Sequence, residues 1–364
     1  VSGGSIKRIR KMSGMGNPQY WSLGEQDTVI DALERAVARQ PDSILLDFSG
    51  DLFSYADVEK LANRMAHSLQ DLGLQRGETL VSMLDNNVDA VTSWLAVNKL
   101  CAVSVPINTA LRGAFLAHQI SDADCKILIC EADYVERVIA VADTLPNIEL
   151  ILYRGELERL PDSSMRVLAL DEYRGSNEEG FEAKPSPSDL ACIIYTSGTT
   201  GPSKGCMLSY NFMCSLARLQ LRAGPATKDD ITITPLPLFH MNALCVGIIS
   251  NILVGARVAI VPRFSVSKFW PEVERSGATI ASILGSMGWL LAQAPDNDAM
   301  LDCMGQIHTV RGNPFTEEAK RIWRDRFGAG QVGGNGYGLT EACVITSLAG
   351  GEYAAPGSSG KRIP

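Results

Sequence analysis

Several features that would assign this chain to a common functional class are missing from its sequence. It contains no Cys-x-x-Cys pair, no His-Glu-x-x-His motif and only four histidines, so the sequence does not predict a zinc site. No run of about 18 apolar residues is present, which argues against a membrane-spanning helix. Lysine and arginine total 33 against 41 acidic residues, and the net charge of −8 argues against nucleic acid as the main partner.

The nine cysteines are an odd number in a chain of 364 residues, which is too long to need disulfides for stability. Several lie inside apolar segments, so free, buried thiols in a reducing, cytoplasmic environment are the simplest interpretation. One basic cluster, residues 7–11, lies in a Gly/Ser-containing segment without a following apolar stretch. We therefore interpret residues 1–27 as an N-terminal tail, neither a signal peptide nor an anchor.

Helix-like and strand-like segments alternate along the chain, which predicts an α/β fold with two doubly wound, mostly parallel sheets covered by helices on both faces. A polar, proline-containing stretch at 175–189 resembles a linker, so we expect a first α/β subdomain at 28–184 and a second at 185–364. The predicted helices are 29–39, 55–72, 87–99, 115–121, 208–221, 243–254 and 267–276. The predicted strands are 77–84, 102–106, 126–130, 148–153, 190–196, 231–234, 258–261 and 279–283.

The stretch from Tyr195 to Gly205 is rich in glycine and hydroxyl residues and follows an apolar strand-like segment. Glycines let backbone N–H groups turn toward an anion, hydroxyls add donors, and Lys204 adds a positive charge. These are properties of a phosphate-binding loop, although a Gly/Ser/Thr run taken alone is more often a flexible loop. The spacing does not fit a Walker A loop, because Gly205 follows the lysine directly.

The order of these residues resembles the phosphate signature of the adenylate-forming superfamily, Thr-Ser-Gly-Thr-Thr-Gly-x-Pro-Lys-Gly. This superfamily includes acyl-CoA synthetases, adenylation domains of peptide synthetases, and luciferases. The sequence departs from the signature only at Ser203, which stands in the proline position. The resemblance implies that the nucleotide is bound by Thr196, Ser197, Gly198, Thr199, Thr200, Gly201 and Lys204.

A second motif begins at Asn335 and runs through Gly336, Tyr337, Gly338 and Leu339 to Thr340 and Glu341. Taken alone, it could be a turn with a helix cap. It resembles the Tyr-Gly-x-Thr-Glu motif of the same superfamily and follows the first motif in the same order. By that match Tyr337 would stack on adenine, Thr340 would bind the α-phosphate and Glu341 would hold Mg²⁺. Asn335, Gly336 and Gly338 would complete this part of the nucleotide site.

Two further segments show weaker similarity. His240 matches a position that opens a helix lining the acyl pocket, where it would contact the carboxylate or act as a gate, although a packed core histidine is the alternative. Gly312, Asn313 and Pro314 occupy the place of the superfamily's adenine loop, where only Gly312 and Pro314 agree with the pattern. A plain turn is nearly as good an interpretation of that segment.

The resemblance implies an ATP-dependent carboxylic acid–CoA ligase that forms an acyl-adenylate and then a thioester with coenzyme A. Several segments are most similar to fatty-acid and carnitine/crotonobetaine-type CoA ligases, which favours an aliphatic acid and leaves an aromatic acid as the alternative. The alternatives are an adenylation domain that loads a carrier protein and a noncatalytic nucleotide-binding fragment. The superfamily's β-barrel and C-terminal lid have no counterpart in these residues, so we expect nucleotide binding with weak adenylation. A homodimer is possible, and neither nucleic acid nor a membrane span is expected.

Overall fold

The computed structural model describes residues 27–196, 201–334, 336–347 and 358–362. Its strands fall into three sheets, two of which have seven strands each. The strands are β1 Ile44–Phe48, β2 Asp51–Ser54, β3 Thr79–Met83, β4 Val103–Pro106, β5 Ile127–Glu131, β6 Leu150–Arg154, β7 Arg166–Ala169, β8 Leu190–Thr196, β9 Lys204–Ser209, β10 Ile231–Thr234, β11 Arg257–Ile260, β12 Ile280–Ser282, β13 Thr309–Arg311, β14 Gln331–Val332, β15 Gly336–Leu339, β16 Cys343–Ser347 and β17 Lys361–Arg362.

The helices alternate with these strands. The α-helices are α1 Val29–Arg39, α2 Tyr55–Asp71, α3 Val88–Lys99, α4 Gly113–Asp122, α5 Ala132–Ile139, α6 Tyr210–Ala223, α7 Ser250–Val254, α8 Val266–Ser276, α9 Gly285–Gln293, α10 Asp298–Asp302 and α11 Glu317–Asp325. A π-helix, Asn242–Ile249, runs directly into α7, and 3₁₀ turns lie at Ala142–Thr144 and Leu170–Tyr173.

Both large sheets are mostly parallel and carry one antiparallel strand pair at an edge. The first sheet has the order β7-β6-β5-β3-β4-β8-β9, and β8 and β9 are antiparallel. The second has the order β14-β13-β12-β10-β11-β1-β2, and β1 and β2 are antiparallel. The third sheet is small and antiparallel, β15-β16-β17. The prediction of two mostly parallel sheets is confirmed.

Local sequence signals explain where the first helices begin. The Thr28 hydroxyl accepts a hydrogen bond from the backbone N–H of Asp31 at 3.1 Å, and the Asp31 carboxylate accepts one from the Thr28 backbone N–H. Ser54 and Asp57 form the same reciprocal capping box at the start of α2. These caps satisfy N–H groups that have no partner inside the helix, so the predicted starts at 29 and 55 agree with the structure.

The apolar residues form layers on either side of the large sheets. A central layer of helices, including α1, α3, α6 and the π-helix, packs between the two sheets. Helices α4 and α5 cover the far face of the first sheet. Helices α8, α9 and α11 cover the far face of the second sheet. Since both faces of each sheet are covered, the strands are apolar almost throughout, as is typical of parallel sheets.

The strands do not divide between the two sheets at the expected boundary of 184/185. Strands β1 and β2 belong to the second sheet, and β8 and β9 belong to the first. Strand β1 is joined to its neighbours by Asp47, which is fully buried and forms ion pairs with Arg257 and Arg275. Burial raises the pKa of Asp47, and hydrogen bonds from Arg275, Gly50 and Arg257 outweigh that effect, so the net pKa is lowered. Such long-range pairing is not visible in the local sequence pattern.

All nine cysteines lie among the described residues as free thiols, and all but Cys206 and Cys343 are buried. No helix in the described ranges is both long and apolar enough to cross a membrane.

Candidate functional site

The first predicted phosphate motif lies on the hairpin formed by β8 and β9. Thr196, the last residue of β8, is directly opposite Lys204, the first residue of β9. The lysine side chain is exposed and that of Thr196 is partly buried. The sequence predicted β8 but not β9, so Lys204 begins a strand where a loop was expected. A hydroxyl and an ammonium group therefore lie side by side at the edge of the first sheet.

Helix α4 holds the return arm of this hairpin. The Nε2 atom of His118 lies 2.8 Å from the carbonyl oxygen of Ser203, and the Gln119 amide donates to the Ser203 hydroxyl at 3.0 Å. On the opposite strand, the Tyr195 hydroxyl donates to Asp122 at 2.8 Å. Ser203 is the one residue that departs from the superfamily signature, and its hydroxyl is bound by a specific partner in this chain.

Gly205 allows the two strands to pack closely. A Cβ atom at this position would lie 2.7 Å from the Cγ2 atom of Ile193 and 3.5 Å from the ring of Tyr195. No side chain fits there without displacing one of these residues. The glycine therefore serves strand packing directly beside Lys204.

The second predicted motif forms the hairpin of β15 and β16. Thr340 and Glu341 lie in the turn between these strands, which the Ala342 N–H closes by donating to the Leu339 carbonyl at 3.2 Å. Gly338 has no room for a side chain, because a Cβ atom there would lie 2.4 Å from the carbonyl oxygen of Cys343. The turn presents the exposed Glu341 carboxylate toward the first sheet.

The two motifs meet at one hydrogen bond. The Thr196 hydroxyl donates to Oε1 of Glu341 at 3.2 Å, across 145 residues of sequence. The neighbouring residue Cys206 is affected by this carboxylate. Burial and, to a smaller extent, the charge of Glu341 raise the pKa of the Cys206 thiol. Hydroxyl, ammonium and carboxylate groups thus converge at this edge. Oxygen donors of this kind, with one carboxylate, suit Mg²⁺ held jointly with substrate phosphates.

The two strands of the β15–β16 hairpin border a cavity of about 450 Å³. Its walls come from the C-terminal part of α6, the ends of β13 and β14, and the β15–β16 hairpin. The predicted nucleotide residues on this cavity are Gly312, Asn313, Pro314, Gly336, Tyr337 and Gly338. Tyr337 is about half exposed, with 51% of its surface accessible, so its ring is available to a ligand at the cavity.

The cavity depends on close backbone contacts below its wall. At Gly312 φ is +150°, and a Cβ atom would lie 1.8 Å from the Ile283 carbonyl oxygen. At Gly285 a Cβ atom would lie 1.5 Å from the carbonyl oxygen of Pro314. Two glycines that are distant in sequence therefore let the 312–314 segment cross the start of α9 in direct contact.

The structure brings most of the predicted site residues to these two places, and a few lie elsewhere. His240 is exposed before the π-helix, with its ring 4.6 Å from that of Phe239, and does not line the cavity. Its assignment to the acyl pocket stays a prediction. Gly201 is exposed in the β8–β9 connection. The predicted residues Ser197, Gly198, Thr199, Thr200 and Asn335 lie outside the described residues.

Several residues that line the cavity were not predicted from sequence, and one of them is charged. Arg311, at the end of β13, lines the cavity although only 4% of its surface is exposed. Its position directly before Gly312 was the only sequence signal. Nothing in the segment indicated whether the side chain points to solvent or to the interior.

The two mostly parallel sheets, with the predicted phosphate motif on the β8–β9 hairpin and a cavity beside the second motif, fit an α/β protein of the adenylate-forming class. Comparison with known proteins agrees with this class. The AMP-binding enzyme family matches residues 33–364, and the chain belongs to that family.

Individual relatives share about 30% or less of their aligned residues with this chain. The chain is 28% identical over 340 residues to long-chain fatty acid transport protein 6 of Mus musculus, covering 91% of this chain and 53% of that protein. It is 30% identical over 296 residues to the medium/long-chain-fatty-acid–CoA ligase FadD6 of Mycobacterium tuberculosis, covering 81% of this chain and 48% of the ligase. The chain therefore spans about half the length of the curated relatives it matches.

Among solved structures, the anthranilate CoA ligase AuaEII in complex with anthranoyl-AMP is similar with a TM-score of 0.83 at 22% identity. The match covers 95% of this chain and 66% of that one. At this identity the similarity concerns the fold.

Proposed function

We propose that this chain is the nucleotide- and acid-binding part of an ATP-dependent carboxylic acid–CoA ligase. The observation that carries this proposal is the hydrogen bond between Thr196 and Glu341, which joins the two motifs beside Lys204. Acyl-CoA ligases among the relatives of this family member support the same activity.

The polar edge suits the charge problem of this reaction. A carboxylate must approach the triphosphate, which is itself an anion, so positive charge and hydrogen-bond donors are needed where charge develops. Lys204 would bind the β- and γ-phosphates together with the Thr196 hydroxyl. Thr340 would bind the α-phosphate, and Glu341 would hold Mg²⁺, which neutralises phosphate charge when bound.

The cavity suits the uncharged parts of the ligand. The ring of Tyr337 and the segment from Gly312 to Pro314 would enclose the adenine base. Leu219, Ala223 and Val344 add apolar surface that fits the carbon chain of an aliphatic acid. The reacting carboxylate would then lie between the cavity and the polar edge.

The reaction proceeds in two steps. An oxygen of the acid attacks the α-phosphorus of ATP, the bond from that phosphorus to the bridging oxygen breaks, and pyrophosphate leaves. The sulfur of coenzyme A then attacks the acyl carbon, the bond to the AMP oxygen breaks, and the thiol proton passes to solvent. In the first step the residues of this chain would bind the triphosphate and align its α-phosphorus with the acid. This alignment would lower the activation barrier, because the reactants are already held in the reactive orientation.

Calorimetric titration of the chain with ATP, with and without Mg²⁺, tests this proposal. We expect binding that Mg²⁺ strengthens at least about tenfold, which is 1.4 kcal/mol. The variant Glu341→Gln should lose most of this gain. Glu318→Gln, an exposed acid on α11, is the matched control and should retain it. A folded chain that binds no ATP, or a Glu341→Gln variant that keeps the full gain from Mg²⁺, would contradict the proposal.

A further inference from the structure

The guanidinium of Arg311 is buried against the cavity without a full set of hydrogen-bond partners. Its Nη2 atom donates to the carbonyl oxygen of Gly224 at 2.7 Å. Its Nε and Nη1 atoms have no hydrogen-bond partner among the described residues. An arginine carries five N–H donors, so at least three remain for another group. The residue is only 4% exposed and lines the cavity of about 450 Å³.

No carboxylate of the described residues forms an ion pair with this guanidinium. The acid that acts on it electrostatically is Asp230. The Asp230 carboxylate is already engaged, because it accepts hydrogen bonds from His308 and Thr279, each at 2.8 Å, and from the Thr227 backbone N–H at 2.8 Å. Burial lowers the pKa of Arg311 to about 10, so the side chain is still charged at neutral pH.

A buried charge without a partner of opposite charge costs free energy. The cavity beside Arg311 offers space for a negatively charged group of a ligand. The position of Arg311 limits which part of a ligand can reach it. The triphosphate would be bound at the turn of the β15–β16 hairpin, beside Thr196 and Glu341, which do not line the cavity. Adenine carries no charge, and the reacting carboxylate must lie next to the α-phosphorus. The remaining part of the ligand is the end of the acid opposite to its reacting carboxylate, and this end would contact Arg311.

We propose that Arg311 is a specificity residue that selects acids whose carbon chain ends in a second carboxylate. This inference rests on the proposed function, since it assigns one end of the acid bound there. The terminal carboxylate would accept hydrogen bonds from Nε or Nη1 and supply the missing negative charge. Charge-assisted bonds of this kind are stronger than neutral ones. An acid whose carbon chain ends in methyl would leave the guanidinium unpaired.

Pairs of nonhydrolysable acyl-sulfamoyl adenosines test this assignment. The two members of a pair have the same acyl chain length, and one ends in methyl while the other ends in carboxylate. Pairs of several lengths are compared, and calorimetry measures the dissociation constant of each analogue. At the best-fitting length we expect the carboxylate-ended analogue to bind at least tenfold more tightly. Arg311→Met should abolish that preference, and Arg311→Lys should keep part of it. Arg324→Met removes the same charge from an exposed position on α11 and should leave the preference unchanged.

Each result decides the assignment. Equal or tighter binding of the methyl-ended analogues by the unmodified chain overturns it, even if Arg311→Met fails to fold. A preference that persists in folded Arg311→Met also overturns it. In both cases tight binding of the analogues still supports the proposed function. If no analogue of either series binds to the folded chain, both proposals fail.

Discussion

The two ends of the candidate site are built in different ways. At the polar edge, Lys204 and Glu341 are exposed and stand at strand ends and turns. At the cavity, Gly312 lies against other backbone, and Arg311 is almost completely buried. The polar edge therefore depends on which side chains it carries, while the cavity depends on how closely the chain is packed.

This difference predicts opposite consequences of mutation. A substitution of an exposed side chain at the polar edge should change ligand binding and leave stability nearly intact. A substitution in the cavity wall should first change stability, because interiors are close-packed and tolerate neither added atoms nor unpaired charges.

The largest effect is expected for Gly312→Ala. The new Cβ atom would lie 1.8 Å from the Ile283 carbonyl oxygen, and backbone cannot move away as a flexible side chain can. We expect urea denaturation to show a loss of about 4 kcal/mol or more in the free energy of unfolding. Gly305→Ala is the matched control, because Gly305 also has positive φ, +76°, but nothing within 4 Å. That variant should lose about 1 kcal/mol. Equal losses in the two variants would show that packing is not decisive at Gly312.

A smaller loss is expected for Asp230→Asn, behind the cavity wall. Burial raises the pKa of Asp230, but hydrogen bonds, first from His308, outweigh that effect and bring the pKa to about 2, below the ordinary value of 3.8. Its stabilising contribution is therefore full above about pH 4 and disappears as the pH falls toward 2. The shift corresponds to about 2 kcal/mol.

We expect Asp230→Asn to lower the free energy of unfolding by about this amount at pH 7. The difference from the unmodified chain should shrink between about pH 4 and pH 2 in urea denaturation curves. Asp229→Asn, which removes a neighbouring exposed acid, should have little effect. A loss that is constant from pH 7 to pH 2 would mean that the carboxylate charge is not what stabilises the fold here.

At the polar edge, Lys204→Met should weaken ATP binding about tenfold, because one exposed positive charge beside the phosphates is removed. The free energy of unfolding should change by no more than about 0.5 kcal/mol. Lys268→Met, at an exposed position on α8, provides the control for loss of a lysine. Titration calorimetry and urea denaturation measure the two quantities. A large loss of stability with unchanged ATP affinity would reverse the contrast between the two ends.

The smallest effect is expected for Ser203→Ala. The variant removes the hydroxyl to which Gln119 donates at 3.0 Å, while the contact of His118 with the Ser203 carbonyl oxygen remains. We expect a loss of about 1 kcal/mol in the free energy of unfolding. Ser267→Ala, at an exposed site on α8, should be neutral in the same denaturation assay. If Ser203→Ala is equally neutral, the Gln119 contact does not hold the hairpin.

Helix and strand assignments followed from the sequence where local signals were strong. The amphipathic pattern and capping box place α1 at Val29–Arg39, as predicted. Strand β9 was missed because glycine and lysine open it. Strand β1 was missed because its parallel partner, β11, lies about 200 residues further along the chain. Among the described strands, β2 pairs only with β1, so it was missed together with it.

The two motifs were recognisable before the fold was known, because recognition of phosphate requires particular donors and charges at close spacing. The motifs predicted the residues of the polar edge, and the alternation of helix-like and strand-like segments predicted the fold class. Three features of the site were seen only in the folded structure. The Thr196 hydroxyl contacts Glu341, and Gly312 packs against Ile283. The Arg311 guanidinium is buried with unpaired donors. Each of these facts joins segments that are distant in the chain, and their distances and burial depend on packing rather than on local pattern.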